Sequence, residues 1–573
     1  SKLAFSGRSI EESDKLEEIG RKIADKCKGL PLAVKTLGGL MRFKETRQDW
    51  QNVLDSETWE LEEVERGIFP PLLLSYYDLS SPMKRCFSYC AIFPKDYEIE
   101  KDILIKLWMA QGFLGSVGST EMELKGGEYF DNLAVRSFFQ DLERDKDDGS
   151  IISCKMHDIV HDFAQFLTMN ECFILEVDSR KELRMDSFPS KARHSTLIGV
   201  REDQFHPSIY NATNLRTLQV LQMKIRSVPA ALFHHLTSIR ALDLSHTAIE
   251  KLPSEIGKLL HLRYLDLSYL DLGELPEAVS SLYNLQTLNL NWCQRLHKLP
   301  KGMGKLTNLR HLNMEWTDWL SILPRGIGRL SSLRTLSKFV VSSNREGCRI
   351  GELNNLNQLR GHLEISGLEK VTDADEARKA DLMNKNHLRS LDLVFSFGEK
   401  EAMEGVIEAL QPHPNLEDLQ LYDYGGSIFP NWIMMLTKLK VLRLLKCESC
   451  DPLPSLGKLP SLEKLLIGHM NSLKHVGPEF LGIEVDGDAG NDMRKIDGTV
   501  SLVVFPKLKE LTFRFMVKWE EWDATTSTTT TAGTSVSIDT GGTGSGGDGD
   551  ASASSGTGNG GEGDACISSG IVS

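Results

Sequence analysis

A leucine pattern that returns at a nearly fixed interval constrains this chain more than any other feature. The segments Leu236-x-x-Ile239-x-x-Leu242-x-Leu244, Leu259-x-x-Leu262-x-x-Leu265-x-Leu267, Leu282-x-x-Leu285-x-x-Leu288-x-Leu290 and Leu306-x-x-Leu309-x-x-Leu312-x-Met314 are copies of one another. Successive copies are offset by 23, 23 and 24 residues. A Leu-Pro pair falls once per copy, at Leu252-Pro253, Leu275-Pro276, Leu299-Pro300 and Leu323-Pro324, so strand and return segment repeat together. That is the signature of a leucine-rich repeat. No single unit has enough apolar surface to fold alone, and stacking makes the core continuous while leaving a long sheet face free to bind.

Composition narrows the class. With 573 residues, 40% hydrophobic and 25% charged, the chain has room for several ordinary globular domains. No apolar run reaches the ~20 residues that span a bilayer, and the opening Ser1-Lys2-Leu3-Ala4-Phe5 has no hydrophobic signal core. It also begins without Met, which is read as a piece of a longer protein. A net charge of -14 opposes non-specific attraction to nucleic acid or anionic lipid. Ten irregularly placed cysteines suggest a reducing compartment rather than a disulfide framework. Cys447-Glu448-Ser449-Cys450 has CxxC spacing, yet Cys447 follows Leu442-x-Leu444 as Cys293 follows Leu288-x-Leu290, the packing position of a repeat.

The chain divides by periodicity. The expected fold is an α/β leucine-rich-repeat solenoid preceded by an all-α helical subdomain and a winged-helix subdomain. Residues 1–69 read as the helical subdomain: Leu16, Ile19, Ile23 and Cys27 share one helix face, and Pro31 forces a new helix because it lacks a donor and disfavours helical geometry at Leu30. Residues 70–180 read as the winged helix. Helices are expected near 72–79, 83–91, 103–111 and 156–167, with Ser137–Gln140 and Ile151–Cys154 flanking the turn Asp145–Gly149 as a hairpin. The repeats occupy 190–523, with an interruption expected near 339–387 where Asp373 to Met383 has helical spacing. From 524 to 573 the sequence is rich in Thr, Gly, Ser and Asp, a composition that buries too little to offset ordering, and disorder is expected.

The block Lys84-Arg85-Cys86-Phe87-Ser88-Tyr89-Cys90-Ala91-Ile92-Phe93-Pro94-Lys95-Asp96-Tyr97, running on to Leu107-Trp108-Met109-Ala110-Gln111-Gly112-Phe113, resembles the plant nucleotide-binding, leucine-rich-repeat (NB-ARC/LRR) disease resistance proteins. Gly29-Leu30-Pro31-Leu32-Ala33 is similar to the family's "GLPLA" motif, and Met156-His157-Asp158 to the "MHD" motif that closes its winged helix. The "WMAQGF" ending is similar to the coiled-coil class. The resemblance covers nearly everything to about Trp522. It implies a switch in which bound ADP keeps the complete receptor closed and exchange for ATP with Mg²⁺ lets it open and oligomerise. It also implies that Pro31 packs beside the base and His157 contacts the phosphate. A plainer reading of His157 and Asp158 is a helix start with Met156, Ile159, Val160 and Phe163 as its buried face. His157 and His161 also stand i, i+4, but Asp158 is not the Glu of a zincin and no third ligand follows.

Departures from the family matter equally. No G-x-x-x-x-G-K-[ST] phosphate loop occurs in the chain, and Ser1 to Arg8 looks like the segment just after the nucleotide fold. The chain by itself is therefore not expected to bind nucleotide tightly or to hydrolyse ATP. Partner contact is expected from a column two residues past each strand leucine: His246, Tyr269, Trp292 and Trp316. These face either a protein partner or the winged helix of the same chain. Asp243, Asp266, Asn289 and Asn313 form a second column that fixes specificity or is simply solvated.

The reading is an intracellular plant immune receptor that recognises a pathogen effector, or a host protein that an effector modifies. Upstream nucleotide-binding and coiled-coil domains, homo-oligomerisation on activation, and a cytoplasmic location with nuclear or peripheral plasma-membrane variants go with it. A truncated, non-switching repeat scaffold or decoy is the alternative. An extracellular receptor is supported only by the acceptor Asn211-Ala212-Thr213.

Overall fold

The structure, a computed structural model, describes residues 3–5, 10–60, 69–115, 122–146, 148–168, 171–176, 191–200, 205, 207–396, 400–482, 504–518, 521–522 and 535–539. The chain forms two compact units, 1–293 and 294–573.

In the first unit, helices α1 (Ile10–Lys26), α2 (Pro31–Arg42) and α3 (Arg47–Leu54) enclose their own core. Leu16, Ile19, Ile23 and Cys27 bury the expected face of α1 against Leu37, Leu40 and Trp50. The break between α1 and α2 is made by Lys28 and Gly29, both left-handed at φ 50° and 76°, followed by Pro31 at the first position of α2. Thr46 and Asp49 cap α3 reciprocally.

The next elements are α4 (Phe69–Tyr77), α5 (Ser81–Tyr89), strand β1 (Ile99–Glu100), α6 (Lys101–Gln111), α7 (Met122–Val135), β2 (Gln140–Arg144), β3 (Ile151–Lys155) and α8 (Asp158–Thr168). β1 and β2 flank β3, both antiparallel to it, which gives a winged helix. Phe87, Trp108, Phe130, Phe138 and Phe163 are fully buried in its core, with Phe87 and Phe138 ring centroids 4.4 Å apart. The expected hairpin starts late: Phe138 and Phe139 are core residues ahead of β2 rather than members of it.

Strands β4 (Cys172–Glu176), β5 (His194–Val200), β6 (Thr217–Met223), β7 (Ala241–Asp243), β8 (Tyr264–Asp266) and β9 (Thr287–Asn289) run parallel in sequence order. Leu242, Leu265 and Leu288 are register partners, as the 23-residue spacing requires. After Pro253 and Pro276, whose φ of -70° and -64° suits a helical start, come the short 3-10 turns Ser254–Lys258 and Glu277–Ser281. β4 corrects one boundary, because it extends the repeat sheet into residues assigned to the winged helix. Its Phe173 and Leu175 alternate as strand residues but lack the leading leucines of the repeat.

Helix α6 ends on the repeats. Gly112 caps it in the left-handed region, φ 78°, and leaves carbonyls without intrahelical partners. Arg240 donates to the Gln111 carbonyl at 2.9 Å and Arg263 to that of Ala110 at 3.4 Å. Thr217 Oγ1 lies 3.2 Å from the Tyr89 hydroxyl and accepts from Gln111 Nε2 at 3.1 Å. Thr196 donates to the Ile92 carbonyl at 2.6 Å. The "WMAQGF" segment is thus the seam between winged helix and repeats.

In the second unit, β10 (His311–Asn313) pairs with β11 (Thr335–Leu336). A further parallel sheet runs through β12 (Lys338–Val340), β13 (Gly361–Ser366), β14 (Leu388–Val394), β15 (Asp418–Tyr422), β16 (Val441–Leu445) and β17 (Lys464–Gly468), then through 510–514 and 535–539. Two expectations fail here. The array is not interrupted across 339–387: β12 and β13 carry the sheet through, and the helix is only Ala374–Arg378. Leu356-x-x-Leu359-x-x-x-Leu363-x-Ile365 hides the pattern by one inserted residue, accommodated by a bulge at Gly361, φ 71°. Nor is the stretch from 524 unstructured throughout, since Ser535–Asp539 pairs in parallel with Glu510–Arg514, Val536 opposite Leu511 and Ile538 opposite Phe513. The remainder of that tail lies outside the described residues.

Candidate functional site

The aromatic column of the first unit is set by a turn repeated after each strand. Asp243 Oδ1 accepts from the Ser245 amide at 3.0 Å and hydroxyl at 2.7 Å; Asp266 does the same for Ser268 at 3.0 and 2.6 Å. This Asx geometry favours a left-handed residue next, and His246, Tyr269 and Trp292 all take it, at φ 55°, 60° and 60°. Each is thereby turned out of the leucine core. The rings stack: His246 and Tyr269 centroids are 4.0 Å apart at 19°, Tyr269 and Trp292 5.7 Å apart at 8°. All three are exposed. Trp316, in the second unit, has the same backbone at φ 57° and is 57% exposed beside exposed Trp319.

The acidic column differs from a solvated one. Asp243 and Asp266 are buried. Gln219 Nε2 donates to Asp243 at 3.1 Å, and Tyr264 Oη and Asn289 Nδ2 donate to Asp266 at 2.7 and 2.9 Å. Burial first, and the neighbouring Asp266 second, push the Asp243 carboxyl up to about 7. Asn289 and, in the second unit, Asn313 are half-buried.

Within the first unit, His246, Tyr269, Trp292, Asp243, Asp266 and Asn289 line one side of a cleft of about 940 Å³ whose other side is the segment Phe93–Glu100 with Ile103. Both alternatives for the aromatics thus meet in one place: the rings look across at the winged helix and stay open to solvent.

The remaining sequence-chosen residues lie elsewhere. His157 is the residue just ahead of α8, half-buried, and its Nδ1 accepts from the Ile159 amide at 3.3 Å. That bond occupies Nδ1 with the amide that opens α8. Asp158 is exposed at the first position of α8, so His157 and not Asp158 supplies the cap. Met156, Val160 and Phe163 form the buried face beneath. Pro31 is exposed at the first position of α2, flanked by Leu30 and Ala33 of the core around Trp50; among the described contacts none joins it to His157. His161 is engaged inside the winged helix, donating to the Phe93 carbonyl at 2.8 Å.

Cys293 and Cys447 occupy equivalent repeat positions and both are buried. Burial raises each thiol to about 12, which keeps it protonated and unreactive. Among the described residues no helix is long and apolar enough to cross a membrane.

Sequence reasoning carried the column no further than Trp316. Asp423, Lys446, His469 and Phe515 are left-handed in the same place, with His469 stacked on Phe515 at 4.6 Å and Lys446 5.0 Å from the Tyr422 ring centre. The signal was present, two residues past Leu421, Leu444, Ile467 and Phe513, but the mixed chemistry concealed it.

Three family descriptions match the chain: "Disease resistance protein Winged helix domain" over 92–164, "Leucine rich repeat" over 213–272 and "R13L1/DRL21 LRRs" over 350–470. The chain is 42% identical over 512 residues to disease resistance protein RGA2 of Solanum bulbocastanum, covering 88% of this chain and 48% of that one. It is 31% identical over 257 residues to disease resistance protein RPM1 of Arabidopsis thaliana, covering 43% and 26%. Among solved structures, the functional domain of InlJ from Listeria monocytogenes aligns over 64% of this chain and 71% of that one, with 14% identity and a TM-score of 0.40. The chain spans about half the length of the curated relatives it matches. With its winged helix followed by leucine-rich repeats, this chain belongs to the plant disease resistance protein family.

Proposed function

We propose that this chain is the distal part of an intracellular plant immune receptor whose repeats recognise a pathogen effector, or an effector-modified host protein. The observation that carries this reading is the stacked His246, Tyr269 and Trp292 wall, which lines a cleft with the same winged helix that carries Met156-His157-Asp158. Exposed rigid aromatics are common energetic anchors of protein interfaces. A partner filling the cleft would compete with winged-helix contacts, and so bias the element bearing the switch motif.

In the complete receptor the nucleotide supplies phosphate charge that differs by one group between ADP and ATP. His157 suits it: half-buried at the positive end of α8, it holds the helix amide through Nδ1 and keeps a second ring nitrogen that can donate to a phosphate. Pro31, exposed at the start of α2, is free to pack on a base. The phosphate loop and the Mg²⁺ carboxylates would come from the upstream nucleotide-binding domain, which with a coiled coil and self-association completes the switch. The chain alone is therefore expected to show no sub-micromolar ADP or ATP binding in calorimetry and no ATPase.

The test is made in a full receptor containing this segment. Asp158→Val should signal without a pathogen, and Tyr269→Ala with Trp292→Ala should abolish the pathogen-dependent response at equal protein level. A non-switching scaffold predicts that Asp158→Val stays as quiet as the parent, and that outcome would refute the switch.

A further inference from the structure

We propose that the cleft between the Phe93–Ile103 segment and the repeat face receives the guanidinium of an arginine on the protein partner. This rests on the reading that the face binds protein, and it names what that partner must present.

Charge is the first argument. The lining includes Asp96, Glu98, Glu100, Asp243 and Asp266. Its lysine, Lys95, is already engaged by Asp162 at 2.6 Å. Asp243 and Asp266 form the floor, and the side-chain groups that donate to them, on Gln219, Ser245, Tyr264, Ser268 and Asn289, are neutral. Neither carboxylate has a cationic partner within ion-pair distance among the described residues. Two buried acidic groups on adjacent strands, hydrogen-bonded only by neutral donors, favour an incoming cation in place of a proton.

The second argument is independent of charge and selects among cations. His246, Tyr269 and Trp292 present a tilted pile of nearly parallel rings, 19° and 8° apart, at the edge of that floor. A planar guanidinium stacks on the outer face of such a pile and can fork to a carboxylate, whereas an ammonium is a point charge that stays hydrated. The rings already stack on one another, so they lose little freedom on binding. A cleft of about 940 Å³ admits the side chain together with its backbone.

The protonation state supplies a readout. Asp243 faces Asp266 and Tyr264 from the next repeat and Tyr89 and Tyr97 from the winged helix. None of these offers positive charge, and burial with Asp266 raises its affinity for a proton. A bound guanidinium would expel that proton, so binding tightens as pH rises from about 6 to about 8.

Calorimetry of the chain with acetylated, amidated pentapeptides bearing a central arginine, lysine or citrulline tests the inference. Arginine is expected to bind ~10-fold more tightly than citrulline and a few-fold more tightly than lysine. Asp243→Asn and Trp292→Ala should each weaken arginine binding ~10-fold with the melting curve unchanged, and Asp243→Asn should also remove the pH dependence. If Asp243→Asn fails to fold, Glu100→Gln on the opposite wall carries the same expectation. Equal affinity for arginine and citrulline, indifference to the wall variants, or no binding at millimolar peptide would each overturn it. Should the peptides fail while Tyr269→Ala with Trp292→Ala still silences the receptor, the arginine falls and the protein-binding face stands.

Discussion

Lys385 occupies a place the repeat reserves for leucine: in Leu382-x-x-Lys385-x-x-Leu388-x-x-Leu391-x-Leu393 it stands where Leu259 stands before Leu265 and Leu267. It is fully buried, donating to the Leu353 carbonyl at 2.9 Å and Asn357 Oδ1 at 3.0 Å. Both acceptors are neutral, and burial lowers the amine to about 8. The unfolded chain binds the proton more tightly than the native state does. Stability therefore rises as pH climbs from about 8 toward the ordinary lysine value near 10.5, and below 8 the full penalty of ~3 kcal/mol is present. Lys385→Met should stabilise the second unit by ~1–3 kcal/mol at pH 7. The gain over the parent should shrink by pH 9.5 in urea titrations. A gain equal at both values would mean that packing, not charge, sets it. The same residue explains part of what stayed illegible: a lysine in a leucine slot puts the apparent restart of the repeats at Leu388, and one extra residue at Gly361 hides the repeat before it, although the sheet tolerates both.

Helix α2 separates two glycines that a sequence reading cannot tell apart. A Cβ on Gly39 would lie 2.5 Å from the Val135 carbonyl oxygen and 2.8 Å from Arg136 Cα, so the helix docks backbone to backbone on the end of α7. A Cβ on Gly38 meets only the Leu3 side chain at 3.5 Å, ordinary contact. Gly39→Ala should therefore destabilise by ~1–3 kcal/mol through forced separation of α2 from α7. Gly38→Ala should be neutral or stabilising by up to ~1 kcal/mol through helix propensity. Denaturant midpoints of the two variants decide it; if they move together, the close approach at Gly39 is not what holds these helices. Within each repeat a similar contrast holds, because Leu288 is fully buried while Trp292 is 36% exposed. Leu288→Ala should cost ~2–5 kcal/mol and Trp292→Ala well under that, so thermal melts would show one variant falling and the other near the parent. The leucine register and the outward aromatics were readable because periodicity alone fixes them. The acid floor was not, since burial of Asp243 and Asp266 depends on where the winged helix lies, which spacing does not encode.

At the scale of the whole chain, the sequence was most legible where elements repeat or carry long motifs, and least where pairing is non-local. The winged helix was foreseen from its helices and hairpin, but β1 has only two residues and becomes a strand through β3, which follows it by some fifty positions. The tail is the sharpest case. A composition of Thr, Gly, Ser and Asp argues against a core, yet a strand needs only a partner edge and a short alternation, and Val536 and Ile538 provide it opposite Leu511 and Phe513. An edge strand of this kind covers the unpaired amides and carbonyls of 510–514, which would otherwise be free to pair with another molecule. Ending the chain at Asp523 should therefore lower the melting temperature by ~1–3 °C and raise its tendency to self-associate, whereas ending it at Asp550 should change neither. Differential scanning calorimetry and light scattering on the two shortened chains make the comparison. If the Asp523 chain melts and scatters like the full one, strand 535–539 adds nothing to the sheet, and the composition would have been the better guide.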